Sequence, residues 1–200
     1  MPSLSVSVDG QRLATVSLED GYDILAIHVS GSRIRAAFAT LEFGGGFFPE
    51  DGDSVHRTWI SQRPLCAGQV ITVSMREDGQ TSHPGKTFEE MFPRVDKTLF
   101  DRENFPPIEA VWATLKTWPK VWGPYCFMLA ASDSASLSGQ TLPEEESLRF
   151  SAVWDKRRPE RARISLYSST LGEDDLHYRV RQELHLGKSL HLRLDTLVLP

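Results

Sequence analysis

The sequence is short of cysteine, of positive charge and of long apolar runs, and each shortage removes a class of protein. Cys66 and Cys126 are the two cysteines in 200 residues, and neither lies in a CxxC pair or a metal-type spacing. A small secreted fold stapled by disulfides would carry more, so a reducing cytoplasm is the expected setting. Lysine and arginine total 22 against 27 aspartates and glutamates, a net charge of −5. That balance argues against nucleic acid as a partner and suits a protein partner whose own face is basic. The longest apolar run, Tyr125 to Ala131, falls well short of the roughly 20 residues of a membrane helix, so no membrane association is expected. The opening MPSLSVSVDGQ has no basic leader and no apolar core, hence no secretory signal is read there.

Catalytic motifs are missing as well. There is no GxSxG elbow. Gly44-Gly45-Gly46 lacks the lysine and Ser/Thr that complete a phosphate loop, and it reads as a mobile or bulged hairpin connection. Glu50-Asp51-Gly52-Asp53 is too short for a calcium loop and reads as a solvated turn. Cys126 lies in an apolar run, where a thiol behaves as a hydrophobe, and Cys66 has no evident base beside it. Glu89, Glu90 and Glu103 have spacings that fit helix caps and surface as well as acid–base work. The sequence therefore supports no catalytic residue, no cofactor and no metal site, and the reading leans away from an enzyme.

What is abundant is the two-residue alternation of half-buried strands. Leu4, Val6 and Val8 alternate with serines, Asp9-Gly10 offers a hairpin turn, and Ala14, Val16 and Leu18 resume the pattern. Leu25 to Val29, Val55 to Ile60 and Val70 to Met75 continue it. Tyr125 to Ala131 reads as a strand buried on both faces, Ser132 to Glu146 as a polar loop, and Leu148 to Trp154 as another alternating strand. Asp155 to Arg161, with Lys156, Arg157, Arg158 and Arg161, reads as a basic hairpin tip. The expected fold is mainly β, an antiparallel sandwich or set of meander sheets. Two short helices interrupt it. One spans about 87–92, with Thr87 and Glu90 as a capping box, and the other about 106–118, with Ile108, Val111, Trp112 and Leu115 on one core-facing stripe. Residues 1–95 and 96–200 form either two halves with separate cores or one continuous domain.

The chain end carries a register expectation. Joining the two final strands through Gly187-Lys188-Ser189 sets Leu184 opposite Leu192, Glu183 opposite Arg193 and Arg181 opposite Asp195, which brings apolar to apolar and opposite charges together. The same register faces His185 with His191, on a sheet surface better explained as solvated than as a zinc site.

Trp112, Trp118 and Trp122 fall within one short stretch. Trp118 and Trp122 flank Pro119-Lys120 and read either as exposed anchors or as cover for the sheet edge begun by Tyr125. On the first reading the partner-binding residues are Trp118, Lys120, Trp122 and Tyr125, with Glu144, Glu145 and Glu146 adding charge against a basic partner.

Val6-Ser7-Val8-Asp9-Gly10-Gln11 and Gly68-Gln69-Val70-Ile71-Thr72-Val73 resemble the turn-and-strand pattern of small bacterial β-sandwich-like proteins, most of them uncharacterised, over residues 1–95. The resemblance implies a bacterial origin and a sandwich-like front half, and it carries no active site. Some proteins of that look neutralise a toxin encoded beside them. The functional expectation is thus a non-catalytic protein-binding protein, in its concrete form an immunity-type inhibitor that covers a toxin's cleft. The alternative is a hydrolase or carbohydrate-binding sandwich with Trp118 and Trp122 as a stacking platform and Gly44 to Phe48 as a lid. That alternative requires convergent polar groups beside the indoles.

Overall fold

In the computed structural model, which describes residues 1–95, 105–132, 135–173 and 175–197, the alternating segments form two antiparallel sheets of six strands each. The strands are β1 (Ser3–Val8), β2 (Gln11–Ser17), β3 (Ile24–Ser32), β4 (Ala39–Phe47), β5 (Val55–Leu65) and β6 (Val70–Arg76), then β7 (Tyr125–Ala131), β8 (Leu137–Gln140), β9 (Ser147–Asp155), β10 (Arg161–Ser169), β11 (Leu176–His185) and β12 (Lys188–Thr196). Among the described residues two short helices, α1 (Phe88–Met91) and α2 (Ile108–Lys116), stand between β6 and β7. The first sheet has the order β2-β1-β6-β12-β7-β8 and the second β11-β10-β9-β3-β4-β5. One face of each sheet supplies the core. Leu25, Ile27 and Val29 of β3 are fully buried, as are Leu4, Val16 and Met75 of the first sheet, and Phe150 and Trp154 of β9 are nearly so. Each such aliphatic or aromatic side chain contributes about 1.5–3 kcal/mol by leaving water. No helix among the described residues is long and apolar enough to cross a membrane.

The strand order is symmetric about its centre. Each half of the chain makes a hairpin in the first sheet, a three-stranded meander in the second, and a return strand beside its own hairpin. The registers repeat with it. Ile27 opposite Phe43 recurs as Phe150 opposite Leu166, and Gly31 opposite Ala39 as Trp154 opposite Ala162. Leu41 opposite Arg63 recurs as Ile164 opposite Gln182, and Leu4 opposite Met75 as Phe127 opposite Leu194. A pseudo-two-fold axis therefore runs through the sandwich, between Thr72 and His191 in one sheet and between His28 and Ser151 in the other.

Several local expectations change. β11 and β12 do not form a hairpin. β11 pairs with β10, and β12 pairs with β6 and β7 in the opposite sheet. Both leucine rows reach the core, but from opposite sides of it. Gly187, at φ 79°, turns the chain across the sandwich, and its N–H donates to Met75 O at 2.8 Å. Gly68, at φ 85°, does the same in the first half and donates to Leu194 O at 2.8 Å. Such positive φ values favour glycine. The charge pairs change accordingly: Glu183 pairs with Arg161, and Arg193 bonds Asp195 at 3.0 Å on its own strand.

β7 is half-buried rather than doubly buried, because Met128 points to solvent. The polar loop after it contains β8, which pairs with β7. The triple glycine lies inside β4 rather than in a connection, at a register irregularity with β5. The Thr87–Glu90 capping box forms as expected at α1. α2 forms too, yet none of its residues is buried and Ile108 is half exposed, so its apolar stripe does not enter the core. Trp112 instead leans over Gly172 in the β10–β11 turn.

Candidate binding surface

The outer face of the second sheet is a trough of small side chains. Since Leu25, Ile27 and Val29 point inward, β3 presents Ile24, Ala26, His28, Ser30 and Ser32 outward. The registers extend these positions sideways into rows. Thr40, Ser30, Arg149 and Tyr167 form one row across β4, β3, β9 and β10, and Glu42, His28, Ser151 and Ser165 form the next. From Ser32 to Ile24 the trough runs the length of β3, roughly 25 Å at the usual strand rise.

One end lies beneath α2. There a cleft of about 680 Å³ is lined by Ser30, Thr40, Arg149, Tyr167, Leu115 and Trp118, with Arg35 at its edge. The Trp118 ring is 49 % exposed. Among the described residues no carboxylate lines this cleft, and the guanidinium groups of Arg35 and Arg149 make no ion pair with any of them.

The other end is hollowed by glycine. Ala26, Gly44 and Gly46 form the floor of a cavity of about 310 Å³, with Glu42, His28 and His56 beside it and Phe48, Met91 and Phe92 at its rim. The pseudo-symmetric positions of Ala26, Gly44 and Gly46 are Arg149, Tyr167 and Ser169, so the first half is empty where the second is filled. Gly45 points to the core, where an added Cβ would lie 2.5 Å from Ile24 O. The rim is fixed by main-chain bonds between Thr58 and Lys86 (2.8 and 2.9 Å), which tie the segment before α1 to β5. Asp23 accepts the Phe48 N–H at 2.5 Å and pairs with Lys156. His28 Nδ1 is buried and has no partner among the described residues. Burial pushes the His28 pKa below its ordinary value, Arg149 adds to that, and Glu42 opposes it. The imidazole is therefore neutral at pH 7 and offers one donor and one acceptor.

Behind Trp118 a polar knot holds the loops. Arg33, 4 % exposed, donates to Trp122 O at 3.0 Å and to Pro143 O at 2.6 Å. Glu145 is fully buried and accepts both Leu142 N at 2.7 Å and Arg179 Nη2 at 2.8 Å, with His177 Nδ1 2.6 Å away. Burial pushes the Glu145 pKa up, but these hydrogen bonds and the Arg179 charge outweigh it and hold the carboxyl below its ordinary value.

The residues expected to contact a partner divide accordingly. Trp118, Lys120 and Glu144 lie at the surface, although Lys120 is engaged with Glu146 Oε1 at 2.8 Å. Glu146 also accepts Leu171 N at 2.7 Å, which makes it a brace between loops. Trp122 packs edge-on against Phe38 and donates its indole N–H to Arg35 O at 2.9 Å. Tyr125 and Glu145 are corrections: both are fully buried, so neither side chain offers contact area. Tyr125 donates to Phe38 O at 2.6 Å, and burial drives its pKa far up. Trp118 and Trp122 form no joint stacking platform, because only one of the two rings stands free. Arg35, Arg149, His28 and Glu42 were missed, since they lie in four strands or loops with no shared motif and meet only through the sheet register.

His185 lies near Glu183 on the second sheet, while His191 bonds Thr72 on the first, so the two histidines do not meet. Among the described residues no three His, Cys, Asp or Glu side chains are placed to share a metal ion. The Cys126 thiol is pushed up by burial and by Asp195, which leaves it a poor nucleophile.

The fold and this face define a class: an antiparallel β-sandwich whose second sheet carries a polar trough with an exposed indole at one end and exposed phenylalanines at the other. Compared with models of known families, with curated proteins and with solved structures, the chain matches none.

Proposed function

We propose that this is a cytoplasmic, non-catalytic protein-binding protein that holds its partner along the outer face of the second sheet. The observation that carries the reading is the trough itself, with Trp118 and two arginines without carboxylate partners among the described residues at one end and exposed Phe48 and Phe92 at the other. Large exposed rings around a polar channel supply contact area at low entropic cost. The finer form of the proposal is an immunity-type inhibitor whose partner is a bacterial toxin, with Trp118, Lys120 and Glu144 at the contact. Its test is capture of one stoichiometric partner from the native host by the wild-type chain, compared with Trp118→Ala and Arg149→Glu. Retention by both folded variants rejects this face. Co-expression with the captured protein must also suppress that protein's toxicity, or the inhibitor form fails.

A second reading has its own support. The polar groups that a sugar site needs beside an indole are present as Ser30, Ser32, Thr40, Ser147 and Ser169, with Arg149 among them. A carbohydrate-binding role predicts a saturable Trp118 fluorescence change with an acidic oligosaccharide, absent in Trp118→Ala.

A further inference from the structure

We propose that the glycine-floored cavity between β3, β4, β5 and α1 receives an arginine side chain presented by the partner protein.

The two-fold repeat supplies the comparison. In the second half, the position equivalent to Gly44 is Tyr167, whose ring packs at a tilt of 45° against Tyr178 with centroids 5.4 Å apart. In the first half glycine removes that ring and leaves a slot between the strand floor and the rings of Phe48 and Phe92. Gly46 is more tightly held than Gly44, because a Cβ there would lie 2.8 Å from the Phe48 ring and 2.9 Å from Val55 O. A flat floor under an aromatic rim suits a planar group that stacks, and guanidinium is the planar cation of proteins.

The polar groups agree in sign. Among the described residues Glu42 is the one acidic side chain lining the cavity, and it makes no hydrogen bond or ion pair with any of them. A carboxylate accepts two parallel N–H bonds from guanidinium. His28 Nδ1, buried and unpartnered, stands in the adjacent row position to Glu42 as a further acceptor when the proton is on Nε2. Among the described residues no arginine or lysine lines this cavity, whereas Arg35 and Arg149 line the neighbouring cleft. The trough is thus polarised, acceptor at the glycine end and cationic at the Trp118 end. An extended partner segment with a basic residue at one end and an acidic one at the other would match both. The cavity's chemistry stands by itself; the source of the guanidinium rests on the protein-binding reading above.

The test is a titration of the imidazole NMR signals of His28 and His56 with the blocked tripeptide Ac-Gly-Arg-Gly-NH2. Saturable shifts at both histidines, weakened about tenfold by Glu42→Gln through loss of a charge-assisted bond, are the expected result. Gly44→Ala, which keeps the fold but narrows the floor, also weakens binding. The lysine peptide binds less tightly, and the glutamate peptide does not shift these signals. Absence of saturable shifts overturns the proposal, as does equal binding by Glu42→Gln or by the glutamate peptide. Agmatine shifting both signals while the arginine peptide does not overturns the partner source. Because no partner is added, a negative result here is distinct from failure of partner capture.

Discussion

Thr72 Oγ1 and His191 Nδ1 lie 2.9 Å apart across β6 and β12, on the pseudo-two-fold axis that relates the two halves of the chain. Around that pair Val73 faces Leu190 and Ile71 faces Leu192, each the symmetry mate of the other pair. The return strand of each half therefore docks on its counterpart, and both sheets draw three strands from each half. This arrangement places His28 and Ser151 at the centre of the trough, where neither half alone would make a channel.

Trp118 and Trp122 separate binding from folding. Trp118→Ala is expected to change stability by less than about 0.5 kcal/mol, as for an exposed surface side chain. Trp122→Ala removes a packed ring and an indole hydrogen bond and is expected to cost about 2–3 kcal/mol. Urea denaturation of the two single variants checks this, and a double variant would mix the two effects.

Glu145 is expected to be the most costly polar residue to remove. Glu145→Ala leaves Arg179 and His177 facing a buried gap and strips Leu142 N of its acceptor, a loss of about 3 kcal/mol. Equilibrium unfolding of the variant beside wild type measures it, and a loss below about 1 kcal/mol would mean that the knot is loosely held.

Glu145 and His28 contribute to the acid limb of stability beside Asp23 and Glu183, whose carboxyls are also held below their ordinary range by Lys156 and Arg161. Glu145 has a folded pKa below its ordinary 4.5, so its contribution is complete above that pH and is lost as pH falls through the folded value. His28 has a folded pKa below its ordinary 6.5. The unfolded chain therefore takes up a proton first, and stability declines as pH drops from about 6.5 towards the folded value. Unfolding free energy measured from pH 7 to 3 is expected to fall in two stages. His28→Gln removes the upper stage, and Glu145→Gln reduces the lower, to which Asp23 and Glu183 also contribute.

Gly44 and Gly45 are neighbours with opposite tolerance. Gly45→Ala drives a Cβ to 2.5 Å from both Ile24 O and Leu25 Cδ2, and the required shift costs about 2 kcal/mol or more. Gly44→Ala meets the tip of the exposed His56 ring at 3.2 Å and Arg57 O at 3.4 Å, close to ordinary contact, and is expected within about 0.5 kcal/mol of wild type. Thermal melting of the pair decides whether the floor of the cavity is open on one side only.

Much of the architecture was legible because a strand with one buried face must alternate. Leu4-Val6-Val8, Leu25-Ile27-Val29 and Leu148-Phe150-Ala152-Trp154 each declare a strand and its inner face, and the Thr87–Glu90 box declares α1. Alternation identifies the inner face of a strand but not the sheet to which the strand belongs. Leu184 and Leu190 satisfy a hairpin and a crossing between sheets equally well, and the difference is made by Gly187 and by the vacant edges of β10 and β6. The repeat had a faint signature in Leu65-Cys66-Ala67-Gly68 and Leu184-His185-Leu186-Gly187, where leucine precedes the crossing glycine by three positions. Elsewhere the two halves share mostly pattern, with few identical residues such as Leu25 and Leu148 or Ala39 and Ala162. By itself the sequence determined a mainly β protein, a sandwich or a set of meander sheets, with a buried aliphatic and aromatic interior, because burial periodicity is local. Tertiary structure alone decided that Tyr125 and Glu145 are interior, that Trp118 is free, and that Glu42, His28, Arg149 and three glycines share one trough, because cross-strand neighbours are set by register between segments far apart in the chain.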